Sequence, residues 1–297
     1  MLQAHSSIHA PVLLDEVLEW LQPSPDGLYV DGTLGLGGHA EAILEHSTPT
    51  GRLVGFEWDE DAVARATERL TQYGERIRIV RASYTDLEPE LARMGIQAID
   101  GLIVDLGVSS LQFDRAERGF SFRAESSLDM RMDHRNPQTA AALVARLSEE
   151  QLADVFYYYG EERQARRIAR FLVQARQESP ITTTTQLASI VAEAVPRKYH
   201  PHKVHVATKV FQALRIAVNS ELDNVTSLLA NAPTVLRPGA RFCVITFHSL
   251  EDRIVKQAFS RNPAYKVLTR HPVEPSGAEV ERNPRSRSAK LRVAVCV

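Results

Sequence analysis

Two acidic residues, each closing an apolar run and lying beside a glycine-rich turn, carry the most suggestive chemistry in the chain. In Val30-Asp31-Gly32-Thr33-Leu34-Gly35-Leu36-Gly37-Gly38-His39, Asp31 ends an apolar strand and the glycines let the backbone turn close to a ligand. Glu57 follows Gly37 by twenty residues and closes the next run, Arg52-Leu53-Val54-Gly55-Phe56. A carboxylate at that point can accept hydrogen bonds from two ribose hydroxyls, so the pattern reads as a nucleoside cradle. A nicotinamide dinucleotide requires G-x-G-x-x-G, which seats its pyrophosphate on a helix N-terminus. The spacing here is D-x-x-x-G-x-G-G, without a third glycine at that offset. An ordinary strand–helix turn is the plain alternative.

The same spacing resembles the first motif of S-adenosylmethionine-dependent methyltransferases, D/E-x-G-x-G-x-G, with Thr33 in the first glycine position. That cofactor has no phosphate, and its ammonium and sulfonium favour a carboxylate such as Asp31. A third acid ends a buried strand in Asp105-Leu106-Gly107-Val108-Ser109-Ser110-Leu111-Gln112. In open α/β sheets ligands bind beyond the carboxyl ends of the strands, which is where Asp105 falls. His248, in Thr246-Phe247-His248-Ser249-Leu250-Glu251-Asp252-Arg253, leaves a later strand at the same edge. It could be a base or a ligand, while Ser249 reads as a helix N-cap boxed by Asp252.

The elements that must position these residues alternate strand and helix over the first 110 residues, as a parallel sheet with crossover helices requires. Helical patterns are expected at 11–21, 38–46 and 62–73, with strands at 28–30, 53–57, 77–80 and 99–105. The alternation resumes with a long helix over 204–229, a strand at 241–247 and a helix at 249–259. Strand-like runs at 265–270 and 290–297 could close the sheet as an antiparallel pair. Between the halves, 137–196 carries almost no strand pattern. Helices fit there at 140–147, 149–158, 161–176 and 186–195, with Ser148 and Thr185 as N-caps. The fold class expected is α/β, a Rossmann-like methyltransferase sheet with an inserted all-helical subdomain. Its parts would be 1–113, an inserted 114–203 that recognises substrate, and 204–297.

The 297 residues are 44% hydrophobic and 24% charged with a net charge of −2, so any nucleic-acid contact must come from local basic patches. Candidates are Arg282, Arg285, Arg287, Lys290 and Arg292, and separately Arg197, Lys198 and Lys203 among His200, His202 and His205. Those histidines lack an accompanying acid or Cys, so no metal is expected. Cys243 and Cys296 alone do not make a disulfide framework. No apolar run nears the roughly 18–20 residues of a membrane span, and no signal-peptide pattern opens the chain. A cytoplasmic protein that contacts no membrane is the default expectation.

Eight blocks in order run through the whole chain. They are His39 after Gly37-Gly38, Asp105-Leu106-Gly107-Val108-Ser109-Ser110, Arg118-Gly119-Phe120-Ser121-Phe122 and Leu128-Asp129-Met130-Arg131-Met132-Asp133. The others are Tyr159-Gly160-Glu161-Glu162, Phe211-Gln212-Ala213-Leu214-Arg215-Ile216, Phe247 to Arg253, and Asn283-Pro284-Arg285-Ser286-Arg287-Ser288. Together they resemble the MraW/RsmH family of 16S rRNA (cytosine-N4)-methyltransferases.

The resemblance implies an S-adenosylmethionine-dependent RNA methyltransferase acting on a decoding-centre (P-site) cytidine of the small ribosomal subunit. It implies cofactor contacts at Gly37, Gly38, His39, Glu57, Tyr84, Asp105 and Gln112, beside Asp31 and Gly35 from the turn itself. Glu57 and Tyr84 stand where Asp and Phe are usual, and Lys209 replaces an Arg, which loses a bidentate fork. Asp105, with backbone carbonyls and Ser109 or Ser110, is the expected acceptor for the amine proton. Phe120 and Phe122 are candidates to face an unstacked base. The competing readings are a nicotinamide-dependent oxidoreductase and a non-catalytic rRNA-binding or assembly protein; a homodimer is left open.

Overall fold

The computed structural model describes residues 11–297, and the side chains of Ser110 and Asp114 also lie outside the described residues. The chain opens with α1 (Leu14–Leu21), β1 (Leu28–Asp31), α2 (Gly38–His46), β2 (Arg52–Phe56), α3 (Glu60–Leu70), β3 (Ile77–Val80), α4 (Leu87–Arg93) and β4 (Ile99–Asp105). A helical stretch follows: α5 (Ser110–Asp114), α6 (Ala140–Arg146), α7 (Glu149–Tyr158), α8 (Ala165–Glu178), α9 (Thr184–Ala194) and α10 (Thr208–Asn219). The chain then resumes with α11 (Glu221–Asn231), β5 (Leu236–Thr246), α12 (Ser249–Arg261), β6 (Tyr265–Val267), α13 (Gly277–Arg282) and β7 (Lys290–Cys296).

It divides into two compact units, 1–107 with 222–297, and 108–221. In the first, seven strands form one sheet in the order β3-β2-β1-β4-β5-β7-β6. β1 to β5 run parallel, and β7 lies antiparallel between β5 and β6. The expected closing pair is therefore present, with β7 inside and β6 at the edge. After β3 the chain returns to the other side of β1, so the order reverses between β1 and β4 and leaves a crevice at their carboxyl ends.

Alternation along each strand builds two cores. Val30, Val54, Leu102, Val104, Phe242 and Val244 pack on one face with Leu91 of α4, Val225 of α11 and Val255 of α12. Tyr29, Leu53, Ile103, Cys243 and Ile245 pack on the other with Val17, Ile43 and Leu70 of α1 to α3. Successive strand side chains point to opposite faces. Asp31 and Asp105 therefore share the parity of Tyr29 and Ile103, and Asp31 pairs in register with Ile103. Two acids on adjacent strands are thus aimed to the same side.

The second unit begins and ends outside the expected 114–203 span because α10 packs against α6 and α7. The helix expected over 204–229 is two helices, broken where Ser220 adopts left-handed backbone at φ 51. Ser148 caps α7 as expected, with a reciprocal box to Gln151, whereas α9 is capped by Thr183 rather than Thr185. The irregular stretch before α6 is held by side chains reaching its backbone. Arg118 donates to Arg131 O and Met132 O at 2.9 and 3.1 Å. Asn219 accepts from Met132 N at 2.8 Å and donates to Met130 O at 2.8 Å.

Asn219→Ala leaves those two buried backbone groups unpaired, at about 1–3 kcal/mol each. The expected result is a lower urea midpoint with unchanged slope. An unaltered midpoint would show that Asn219 does not hold this segment.

Candidate active site

The glycine turn is shaped by its own strand ends. Gly37 precedes α2 at φ +80, and a Cβ there would lie 3.0 Å from Leu70, so conformation and space both require glycine. Leu34 N donates to Phe56 O at 2.9 Å, tying the turn to the end of β2. Glu57 lies just beyond that end, buried at 8% exposure. Its Oε2 accepts from Gly35 N at 2.9 Å, and its Oε1 accepts from Trp58 N and Asp59 N, each at 2.9 Å. An ionised carboxylate has about four acceptor sites. Three are spent on backbone, so Glu57 shapes the loop and retains one lone pair, on Oε2.

At the end of β1, Asp31 is 1% exposed and accepts from Thr33 N at 3.0 Å. The Thr33 hydroxyl accepts from Asp105 N at 2.6 Å, pinning the turn after β1 to the last residue of β4. Asp105 Oδ1 is buried and makes no hydrogen bond among the described residues. Burial raises the Asp105 carboxyl well above its ordinary range, and the charges of Asp31 and then Glu251 push it further. Burial also raises Asp31 to about 7, against the Thr33 hydrogen bond. Glu57 rises to about 7 for the same leading reason, despite its three backbone donors. No Lys or Arg pairs with any of these three acids among the described residues. The edge of the sheet gathers three desolvated carboxyls without a cation of their own, groups whose ionised forms a positively charged ligand would stabilise.

At the end of β5 the turn into α12 closes on itself. The N-cap is His248, one residue before the expected Ser249, and its partner is Glu251 rather than Asp252. Glu251 Oε2 accepts from Phe247 N at 2.8 Å and from His248 N at 3.3 Å. His248 Nδ1 accepts from Glu251 N at 3.4 Å. Its Nε2 lies 3.0 Å from Glu251 Oε1 without hydrogen-bond alignment. Asp252 pairs instead with Arg292 through two bonds of 2.6 and 3.1 Å. Arg292 is buried in that pair, so it leaves the basic cluster expected near the C-terminus; Arg282, Arg285 and Arg287 stay exposed.

The remaining expected site residues take their places by unit. His39 is buried, with Nε2 2.9 Å from Val12 O, and Tyr84 is buried with its ring 6.3 Å from that of Trp58. In the second unit Ser109 caps α5 by accepting from Gln112 N, and Gln112 Oε1 accepts from Ser109 N, both at 3.3 Å. The Ser110 side chain lies outside the described residues. Phe120 is buried, whereas Phe122 is half-buried, 4.8 Å from the His205 ring and 4.7 Å from Phe211. Three contributors went unread in the sequence: the Thr33 hydroxyl, Trp58 and the Glu251 carboxylate. A threonine in a glycine position was the only signal for the first, and an aromatic next to Glu57 for the second. Glu251 had none, because its role depends on a turn closing.

The raised acids make stability depend on pH in a definite sense. Asp31 moves from 3.8 to about 7, so the folded state binds its proton more tightly and the stability that proton supplies is lost as pH climbs between those values. Asp31→Asn is therefore expected to gain roughly 1–4 kcal/mol over wild type near pH 8 and nothing near pH 4. Denaturant unfolding at the two pH values measures this; an equal difference at both removes the burial argument.

Comparison with known proteins shows the family of the chain. A family model described as the MraW methylase family matches residues 6–296. A protein named Ribosomal RNA small subunit methyltransferase H from Desulfotalea psychrophila is 57% identical over 287 residues, covering 97% of each chain. Its namesake from Geotalea uraniireducens is 50% identical over 304 residues, covering 96% of this chain and 97% of that one. A solved rRNA methylase from Streptococcus thermophilus superposes with a TM-score of 0.45 at 10% identity, over 96% of this chain and 93% of that one. With a match over nearly its whole length and relatives this similar end to end, the chain belongs to the MraW methylase family.

Proposed function

We propose that the chain transfers a methyl group from S-adenosylmethionine to N4 of a decoding-centre (P-site) cytidine in the 16S rRNA of the small ribosomal subunit. The class of substrate rests on the relatives, which are named as small-subunit rRNA methyltransferases. The observation that carries the chemistry is Asp105, whose buried Oδ1 lacks a partner at the carboxyl end of β4, beside Asp31.

The residues present fit the cofactor. The sulfonium supplies an electrophilic methyl group, and it arrives with an ammonium as a second positive charge. Asp31 and Asp105 would offset that charge, which in turn favours their ionised forms. The spare lone pair of Glu57 would take a ribose hydroxyl, and Gly35, Gly37, Gly38 and His39 would line the turn. Tyr84 would stand by the adenine, with Gln112 as a further contact carried by the family resemblance.

On the acceptor side, the cytosine N4 lone pair is delocalised into the ring, so the amine is a weak nucleophile. Asp105 Oδ1 would accept the N4–H hydrogen bond, localise the lone pair and receive the proton as the N–C bond forms and the C–S bond breaks. Ser109, already spent as a cap, would serve through its backbone turn. Phe122, in tilted contact with His205, would offer its ring to the unstacked base, and Phe120 of the same segment is buried.

Asp105→Asn keeps shape and removes the base. Turnover should fall by about 10²-fold or more, a larger loss than the weakening of cofactor Kd that removing one of the two charge-offsetting acids brings. Near-normal turnover would reject Asp105 as the acceptor. Mass mapping of small-subunit rRNA from cells lacking the protein should reveal one missing cytidine methyl group, and an intact set of marks would overturn the substrate.

A further inference from the structure

We propose that one end of the helical unit, where Tyr157, Tyr158 and Tyr199 meet Arg163, Arg166 and Lys198, grips the single-stranded RNA next to the methylated nucleotide. This rests on the reading above that the substrate is RNA.

Chain geometry brings these residues together. α7 ends at Tyr158 and α8 starts at Ala165, so the last turn of one and the first turn of the other lie at the same end of an antiparallel pair. Arg167, in the first turn of α8, donates to the carbonyl of Ala194, the last residue of α9. The C-terminus of α9 is thereby fixed at that same end, and Arg197, Lys198 and Tyr199 follow directly. Lys209, in the first turn of α10, donates to Glu161 O at 2.8 Å in the α7–α8 link, which holds the link in place.

What this end presents is mainly aromatic and cationic, with Glu161 and Glu193 as exposed acids beside them. Tyr157 is 59% exposed, Tyr158 62% and Tyr199 53%. The first two rings meet edge-on at 5.2 Å, and the Lys198 ammonium sits 4.9 Å from the centre of the Tyr199 ring. Arg163 and Arg166 are exposed and pair with no acidic side chain among the described residues. Helix stability does not explain them. The N-terminus of a helix is its positive end, where acids are favoured, yet the first turn of α8 has no acid and two arginines. By contrast Arg176, near the other end, is spent on the carbonyls of Val144 and Leu147. Arginines kept against the helix dipole beside solvent-facing tyrosines match a polyanion with stackable bases.

The charge balance agrees. Residues 108–221 hold 16 Lys and Arg against 13 Asp and Glu, while the rest of the chain holds 19 against 24. The cations of an otherwise acidic protein are concentrated in the inserted unit.

The test uses the full-length protein and a labelled single-stranded rRNA fragment containing the target cytidine. Its affinity is measured by anisotropy over a range of salt, alongside cofactor Kd and methylation kinetics. Arg163→Gln with Arg166→Gln should weaken RNA binding about tenfold or more and reduce the salt slope by roughly 1.4, the value for two phosphates on a single strand. Tyr157→Ala with Tyr158→Ala should weaken RNA binding to a similar extent and leave the salt slope unchanged. Both should keep the wild-type thermal midpoint and cofactor Kd, with the loss in KM for RNA and not in kcat. Variants with wild-type RNA affinity and salt slope, in a protein that still methylates rRNA, would overturn this surface and leave the proposed function standing. So would variants normal on free rRNA and defective only on assembled subunits, which would make the face a protein contact. If the wild type itself neither binds nor methylates rRNA, the parent reading falls.

Discussion

Buried carboxyls without a protein cation are the constraint around which the sheet domain is organised. Asp31 and Asp105 end neighbouring strands on one face, and desolvation lifts both carboxyls far from their ordinary range. A structural acid in such a place would be paired with Arg or Lys, as Asp252 is with Arg292 a short distance along the same sheet. The contrast within one domain is informative. The half-buried Asp252 is neutralised by buried Arg292, and Asp31 and Asp105 have no such partner among the described residues. Ionising such carboxyls inside the fold costs stability.

Such an arrangement persists only if the strand ends cannot relax, and the hydrogen bonds on the page serve that end. Thr33 bridges β1 and β4 by accepting from Asp105 N, so the two acids are held by a side chain between them. Glu57 gathers the backbone of Gly35, Trp58 and Asp59 and so fixes the glycine turn relative to β2. The reciprocal cap of His248 and Glu251 stiffens the exit of β5 and puts another negative charge within reach of Asp105. Rigid elements of this kind hold a reacting geometry more tightly than mobile loops.

The inserted unit follows a different logic. Its first residues have little regular structure and are held by Arg118 and Asn219, whose side chains pair with backbone groups that no helix or strand satisfies. This frees that segment to present Phe122 beside His205 without the demands of a regular element. The helices supply a scaffold whose exposed end is rich in tyrosine and arginine.

The sequence by itself determined the parallel alternation, the insertion after Asp105, the glycine turn and the acids that end β1 and β4. Each of these is local: a strand's period, a breaker's position, a residue beside a turn. The resemblance of eight motif blocks to a methylase family was legible for the same reason, since order along the chain is a sequence property. What tertiary structure decided is which polar atoms are spent and which remain. Arg292 looked like a phosphate contact and is consumed by Asp252; Ser249 looked like a cap and yields to His248; the helix expected over 204–229 breaks at Ser220. Glu57 looked free for a ribose and is mostly committed to backbone, while Asp105 keeps an oxygen without a partner. Arg292 depends on Asp252 and Glu57 on Gly35, each tens of residues away, and hydrogen-bond satisfaction and desolvation are properties of the packed interior that no run of residues encodes alone.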